Sequence, residues 1–260
     1  MRFLKCLQAC ALVLLVASAP ARASSATSEI TDMWWNPDEA GWGVNVVLQN
    51  DVAFLTFFVY DATHVPIWYT SDAYVGGNLA WTGKLYQTTG PWFGGPFPPA
   101  NVTVRQAGTV SFALTALNQA TLTYTVDGVT VTKTVQRQTW ANENYTGNYL
   151  GGYSFRDVNC NPNSLNGVEE AGGLMAVTHN GSSLTVALAT AGGSCTFAGN
   201  YSQTGKLGQV SGNFSCATGA QGTFTMFEMT PTISGFTGRV VGASQFCQFD
   251  GFLGGITRSP

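Results

Sequence analysis

An all-β fold, built as two consecutive antiparallel meander β-barrels, is what the sequence predicts, and three observations predict it. Short runs of alternating apolar and polar residues recur along the chain, separated by Gly, Asn and Asp turns. No stretch sustains a helical period. Trp and Cys are also segregated, with all seven Trp at or before Trp140 and Cys160, Cys195, Cys216 and Cys247 after it. The composition agrees: 12% aromatic and only 10% charged is the reverse of a disordered chain. β-Sandwiches are the alternative, because alternation alone does not separate the two architectures.

Residues 1–23 read as an address. Arg2 and Lys5 precede a mostly apolar run, and Ala21-Arg22-Ala23 is a small-x-small cleavage pattern. The run is shorter than the roughly 20 residues a spanning helix needs, so a cleaved secretory signal is expected. No Cys follows the cleavage pattern to take a lipid. Loss of Arg2, Lys5 and Arg22 takes the formal net charge from −3 to −6. An acidic chain without clustered Lys and Arg is not expected to bind nucleic acid. No later segment is apolar enough for a transmembrane helix. An outer-membrane barrel is disfavoured, because glycines interrupt the strands too often for a lipid-facing band. The protein is expected in the periplasm or outside the cell.

The first domain is expected over residues 24–141. Strands are read near 30–35, 44–48, 54–60, 67–70, 81–87, 109–114, 121–126 and 129–135, where β-branched and aromatic residues alternate with polar ones. Asp127-Gly128 between the last two is a strong hairpin signal. Eight strands joined mostly by short turns suit a closed meander, which leaves no exposed edge. Strand parity then places three connections at one end: 36–41, 61–64 and the long 88–100 segment. That segment is too rich in Pro and Gly for a ladder, and its Trp92, Phe93 and Phe97 either cover the barrel mouth or face a partner.

The second domain is expected over residues 142–260, again with eight strands. Parity places its four cysteines at one end. Four cysteines allow three pairings, and spacing alone does not choose among them. Barrel closure does: Cys160 and Cys247 flank the first and last strands, while Cys195 and Cys216 lie on hairpin partners. The expected bridges are Cys160–Cys247 and Cys195–Cys216, in an oxidising compartment. No Cys-x-x-Cys supports zinc, and neither a metal nor another cofactor is expected. Asp157 to Asn163 carries oxygen side chains at alternate positions, as calcium loops do. Pro162 and Val168 occupy positions where that pattern needs Gly and Glu, so an Asx-rich loop pinned by Cys160 is the better reading.

The most unusual stretch is Trp34-Trp35-Asn36-Pro37-Asp38-Glu39-Ala40-Gly41-Trp42-Gly43, followed by Phe57-Phe58-Val59-Tyr60-Asp61 and Pro66-Ile67-Trp68-Tyr69. This resembles a group of secreted proteobacterial β-rich proteins of uncharacterised activity that carry W-W-N-P-x-E-x-G-W-G. Gly205-Lys206-Leu207-Gly208 and Gly235-Phe236-Thr237-Gly238-Arg239 look like material found beside that motif. The resemblance implies an accessory or binding role and brings no established activity.

Two readings of the decapeptide stand side by side. In one, Trp34, Trp35 and Trp42 plug a barrel end while Glu39 takes backbone N–H groups of the turn. In the other, Trp34, Trp35, Asn36, Glu39, Trp42, His64, Trp92 and Phe93 form a contact surface, with indole faces covering the apolar faces of a sugar and polar groups meeting its hydroxyls. Catalytic patterns are weak. Beyond the leader the histidines are His64 and His179, both read as turn residues, and no G-x-S-x-G elbow is present. A hydrolase requires two convergent carboxylates in one pocket, with Asp38, Glu39 and Asp61 as candidates, or a His beside a nucleophile. The expected function is therefore an exported, non-enzymatic binding module for a glycan or other apolar-faced ligand. A structural or protein-interaction protein of the cell envelope is the alternative, and an unrecognised hydrolase the second.

Overall fold

A computed structural model describes residues 29–257. The leader read from the sequence lies outside these residues. The first barrel comprises β1 (Asp32–Trp35), β2 (Gly43–Gln49), β3 (Val52–Tyr60), β4 (Pro66–Val75), β5 (Ala80–Thr89), β6 (Thr103–Ala116), β7 (Gln119–Val126) and β8 (Val129–Arg137). The second comprises β9 (Gly147–Val158), β10 (Gly167–Asn180), β11 (Ser183–Thr190), β12 (Gly193–Thr204), β13 (Leu207–Cys216), β14 (Gln221–Thr232), β15 (Gly235–Ser244) and β16 (Gln248–Thr257). Each strand pairs antiparallel with its neighbours in sequence, and first pairs with last, so both sheets are closed. The barrel reading holds and the sandwich alternative does not.

Alternation dictates which side chains enter. On β7, Ala120 and Leu122 are buried while Thr121, Thr123 and Thr125 face outward. Asp127 and Gly128 adopt φ of 47° and 86°, the two left-handed residues that a tight hairpin matching strand twist requires. Trp34, Phe57, Leu55, Leu85, Phe112 and Leu122 fill the first lumen. Phe, Met, Leu and Val side chains fill the second. A membrane barrel has the opposite arrangement, with a polar lumen. No helix among the described residues is long and apolar enough to cross a membrane.

The seams differ. In the first barrel, β1 meets β8 only at Trp34 opposite Arg137 and Trp35 opposite Gln136. In the second, β16 runs beside β9 from Gln248 opposite Val158 to Thr257 opposite Tyr149. The barrels meet where β1 begins and β8 ends. There the turn at Gly205 and Lys206 reaches across, and the Lys206 amide donates to Asp32 Oδ2 at 3.0 Å.

The cysteines pair as closure requires. Cys160 bonds Cys247 beside the β9–β16 seam, and Cys195 bonds Cys216, its direct register partner. Both bridges lie at the end of the second barrel remote from the first.

Candidate functional site

The tryptophans of the first barrel do not gather at one mouth: Trp34 is sealed in the core, Trp35 faces outward from β1 and Trp92 stands on the exposed loop. Asn36 caps a short 3-10 turn, Pro37–Glu39, its side chain accepting from the Asp38 amide at 3.0 Å. That turn swings Glu39 over the mouth, where Oε1 meets Lys133 Nζ at 2.6 Å and Oε2 accepts from Trp42 Nε1 at 3.1 Å. The Lys133 hydrogen bond, more than any other contact, holds the Glu39 carboxyl below the usual carboxylate range. The expectation that Glu39 binds turn N–H groups is corrected: its partners are an ammonium and an indole.

Trp34, expected on the contact surface, is 0% exposed. Its Nε1 donates to Ile30 O at 2.9 Å and the Arg137 guanidinium lies 4.6 Å from its ring centre, so no ligand reaches it. Trp42 packs partly buried against the same core. His64 sits at φ 68° in the exposed turn closed by Asp61, whose Oδ1 accepts from Thr63 and Val65. Asp61 is thus committed to its own turn, and Glu39 to Lys133 and Trp42. His179, read as a turn residue, ends β10 half-buried. Its ring lies 4.3 Å from that of Tyr201, and Nδ1 accepts from the Tyr145 amide at 3.4 Å.

The exposed rings lie elsewhere. Trp92 and Phe93 are 71% and 90% exposed on the long loop, 5.9 Å apart and outside the mouth. A second set runs across the outer wall. Gly43 lies opposite Phe58, and Phe58 opposite Trp68, with Phe58 and Trp68 about half exposed. Trp34 pairs with Val44 and points inward, so Trp35 is outward beside Gly43 in the same row. Gly43, between Trp35 and Phe58, is buried, and the Met33 thioether lies beside the place its side chain would take. The next row reads Asn45, Thr56, Thr70 and Tyr86. Tyr86 also lines a shallow groove of about 600 Å³ over β4–β7, with Asp72, Tyr74, Lys84 and outward Thr and Ser hydroxyls.

The remote mouth of the second barrel is concave, with a cavity of about 210 Å³. Its floor is Phe155, Phe197, Phe214 and Phe249, all nearly sealed. Tyr153 stacks on Phe155 at 4.4 Å, and Phe155 on Phe249 at 4.9 Å. Two carboxylates share the lining: Asp157, in register with Phe249, and Glu169, in register with Phe155. Tyr153 Oη donates to Glu169 at 2.7 Å. Burial, then the neighbouring Glu169 charge, pushes the Asp157 carboxyl up. The barrel's other end is plugged by Tyr145, whose hydroxyl donates to Met229 O at 3.2 Å.

Sequence reasoning missed this second mouth, although a signal was present. Cys195-x-Phe197, Phe214-x-Cys216 and Cys247-x-Phe249 place a Phe one pleat inside each of three cysteines. Comparison with known proteins matches the chain to no family model and to no curated protein. The site must therefore be read from its geometry.

Proposed function

We propose that the protein is an exported, non-enzymatic binding module whose contact surface is the outer wall of the first barrel. The observation that carries this reading is the outward row of Trp35, Phe58 and Trp68, bordered by Asn45, Thr56, Thr70 and Tyr86. Phe58 and Trp68, paired across β3 and β4, with Met33 and Trp35 beyond Gly43, present an apolar platform, and the row beside it offers amide and hydroxyl groups. A glycan has both kinds of surface, apolar C–H faces and hydroxyl edges. The groove beyond Tyr86 extends the hydroxyl-lined part of the wall. Two disulfides suit an oxidising compartment.

Calorimetric titration against soluble polysaccharides tests the reading. Trp68→Ala is expected to weaken binding tenfold or more, about 1.4 kcal/mol, while Trp92→Ala leaves it unchanged. Equal affinity of wild type and Trp68→Ala overturns the proposal.

The exposure of Trp92 and Phe93 favours a second reading, an envelope protein that docks a partner through its long loop. Loss of binding in Trp92→Ala alone is its signature. A hydrolase finds less support. Asp157 and Glu169 do share one pocket, yet the rest of that lining is mostly apolar, and Ser244 Oγ is engaged by the Phe246 and Cys247 amides. Few groups remain there to orient a sugar.

A further inference from the structure

We propose that the disulfide-flanked mouth of the second barrel binds a small organic cation with an apolar body, of the aromatic amine or quaternary ammonium class. Three features converge on this chemistry. The floor is built of Phe rings, with Phe155 stacked between Tyr153 and Phe249, and their apolar area takes up the body of a ligand while ring faces left unstacked attract its charge. The charge of the lining is of one sign: Asp157 and Glu169 face inward, and no Lys, Arg or His lines the cavity. Arg156, next to Asp157 in sequence, alternates to the outer face and pairs there with Asp250 at 2.8 Å. The size is the third feature. A cavity of about 210 Å³ lies below the usual range for drug-sized ligands, and admits one ring with a short substituent.

The carboxylates decide the sign of the ligand. A purely aromatic mouth is suited to any neutral apolar molecule. Asp157, half-buried at that mouth, incurs desolvation unless a positive group meets it, and the exposed Glu169 adds a second negative charge at the rim. Tyr153 Oη satisfies part of Glu169. The raised proton affinity of Asp157 agrees with its burial beside the Glu169 charge. The mouth is also braced on two sides. Cys160–Cys247 ties the β9–β16 seam, and Cys195–Cys216 ties the β12–β13 ladder across the barrel from it. Such bracing keeps the cavity formed before a ligand arrives, which lowers the ordering cost of binding.

The test is calorimetric titration of the full chain at pH 7.5 with benzyltrimethylammonium, and with benzyl alcohol as the neutral ring. The cation is expected to bind at least tenfold more tightly. Asp157→Asn combined with Glu169→Gln should abolish that preference while leaving benzyl alcohol binding as before. Retained circular dichroism and fully oxidised cysteines verify that the variant is folded. Aromatic carbon–proton NMR correlations locate the ligand, with shifts expected at Phe155, Phe197 and Phe249. Absence of cation binding, equal affinity for both probes, or shifts confined to the first barrel overturns the proposal. The aromatic row of the first barrel takes no part in this site, so each proposal can fail without the other.

Discussion

Glu39 and Asp157 are both carboxyls at a barrel mouth, and their surroundings push them in opposite directions. The hydrogen bond from Lys133 lowers the proton affinity of Glu39 in the fold. Its contribution to stability is complete above the ordinary value near 4.5 and is lost as pH falls through the lower folded value. Asp157 behaves inversely. Burial makes the folded state hold a proton that the unfolded chain has released, so stability falls as pH rises from the ordinary 3.8 through the raised folded value. Glu39→Gln should therefore lower stability at pH 7 and change it little at pH 3. Asp157→Asn should raise stability at pH 7 and change it little at pH 3. Urea denaturation of the two variants at both pH values checks the signs, and a shared sign contradicts this account of the mouths.

At the scale of elements, the two disulfides close loops of different length. Cys160–Cys247 spans 87 residues and Cys195–Cys216 spans 21. Chain-entropy arithmetic gives roughly 4.6 and 3.3 kcal/mol. The Cys160→Ser/Cys247→Ser pair is thus expected to lose about 1 kcal/mol more than Cys195→Ser/Cys216→Ser, measured as urea midpoints in the same buffer. The reverse order would assign the larger effect to the β12–β13 ladder. The bridges were legible in the sequence because parity and closure are properties of the whole meander, insensitive to where each strand begins. Side-chain direction is not insensitive. A slip of one residue turns every side chain to the other face, and Trp34-Trp35 puts one ring in the core and one on the wall. Which is which depends on Trp34 meeting Val44 across β1 and β2, a register the decapeptide does not encode locally. The aromatic wall was hidden for that reason. The mouth of the second barrel was hidden because its Phe residues come from four strands, each ordinary when read by itself.

For the whole molecule, the junction between the barrels decides whether two mouths and one wall keep a fixed relation. Its centre is Arg137, with a side chain 0% exposed. The guanidinium donates to Leu117 O at 2.8 Å and Asp32 Oδ2 at 3.1 Å, and also to Glu29 O. The buried Arg137–Asp32 pair in turn receives the Lys206 amide of the second barrel. Gly205 supplies the close approach. Its amide donates to Thr139 Oγ1 at 2.8 Å, and Gln203 Nε2 bonds both Gly205 O and Ala141 O. An added Cβ at Gly205 would stand 2.1 Å from Asp32 Oδ2 and 2.8 Å from Arg137 Cβ, so the turn must withdraw. Gly205→Ala is therefore expected to part the barrels while leaving each folded. Gly181 isolates the backbone effect: it has the same φ of +59° in the same barrel, with nothing within 4 Å of its added Cβ. Gly181→Ala should show only the left-handed penalty, about 1 kcal/mol, with an unchanged radius of gyration in solution scattering. Gly205→Ala should show a larger radius and a calorimetric trace that resolves into two transitions. If the two variants behave alike, the contacts at Asp32 and Arg137 do not hold the barrels together, and the interdomain geometry rests on the 138–146 connection and the Lys206–Glu29 pair.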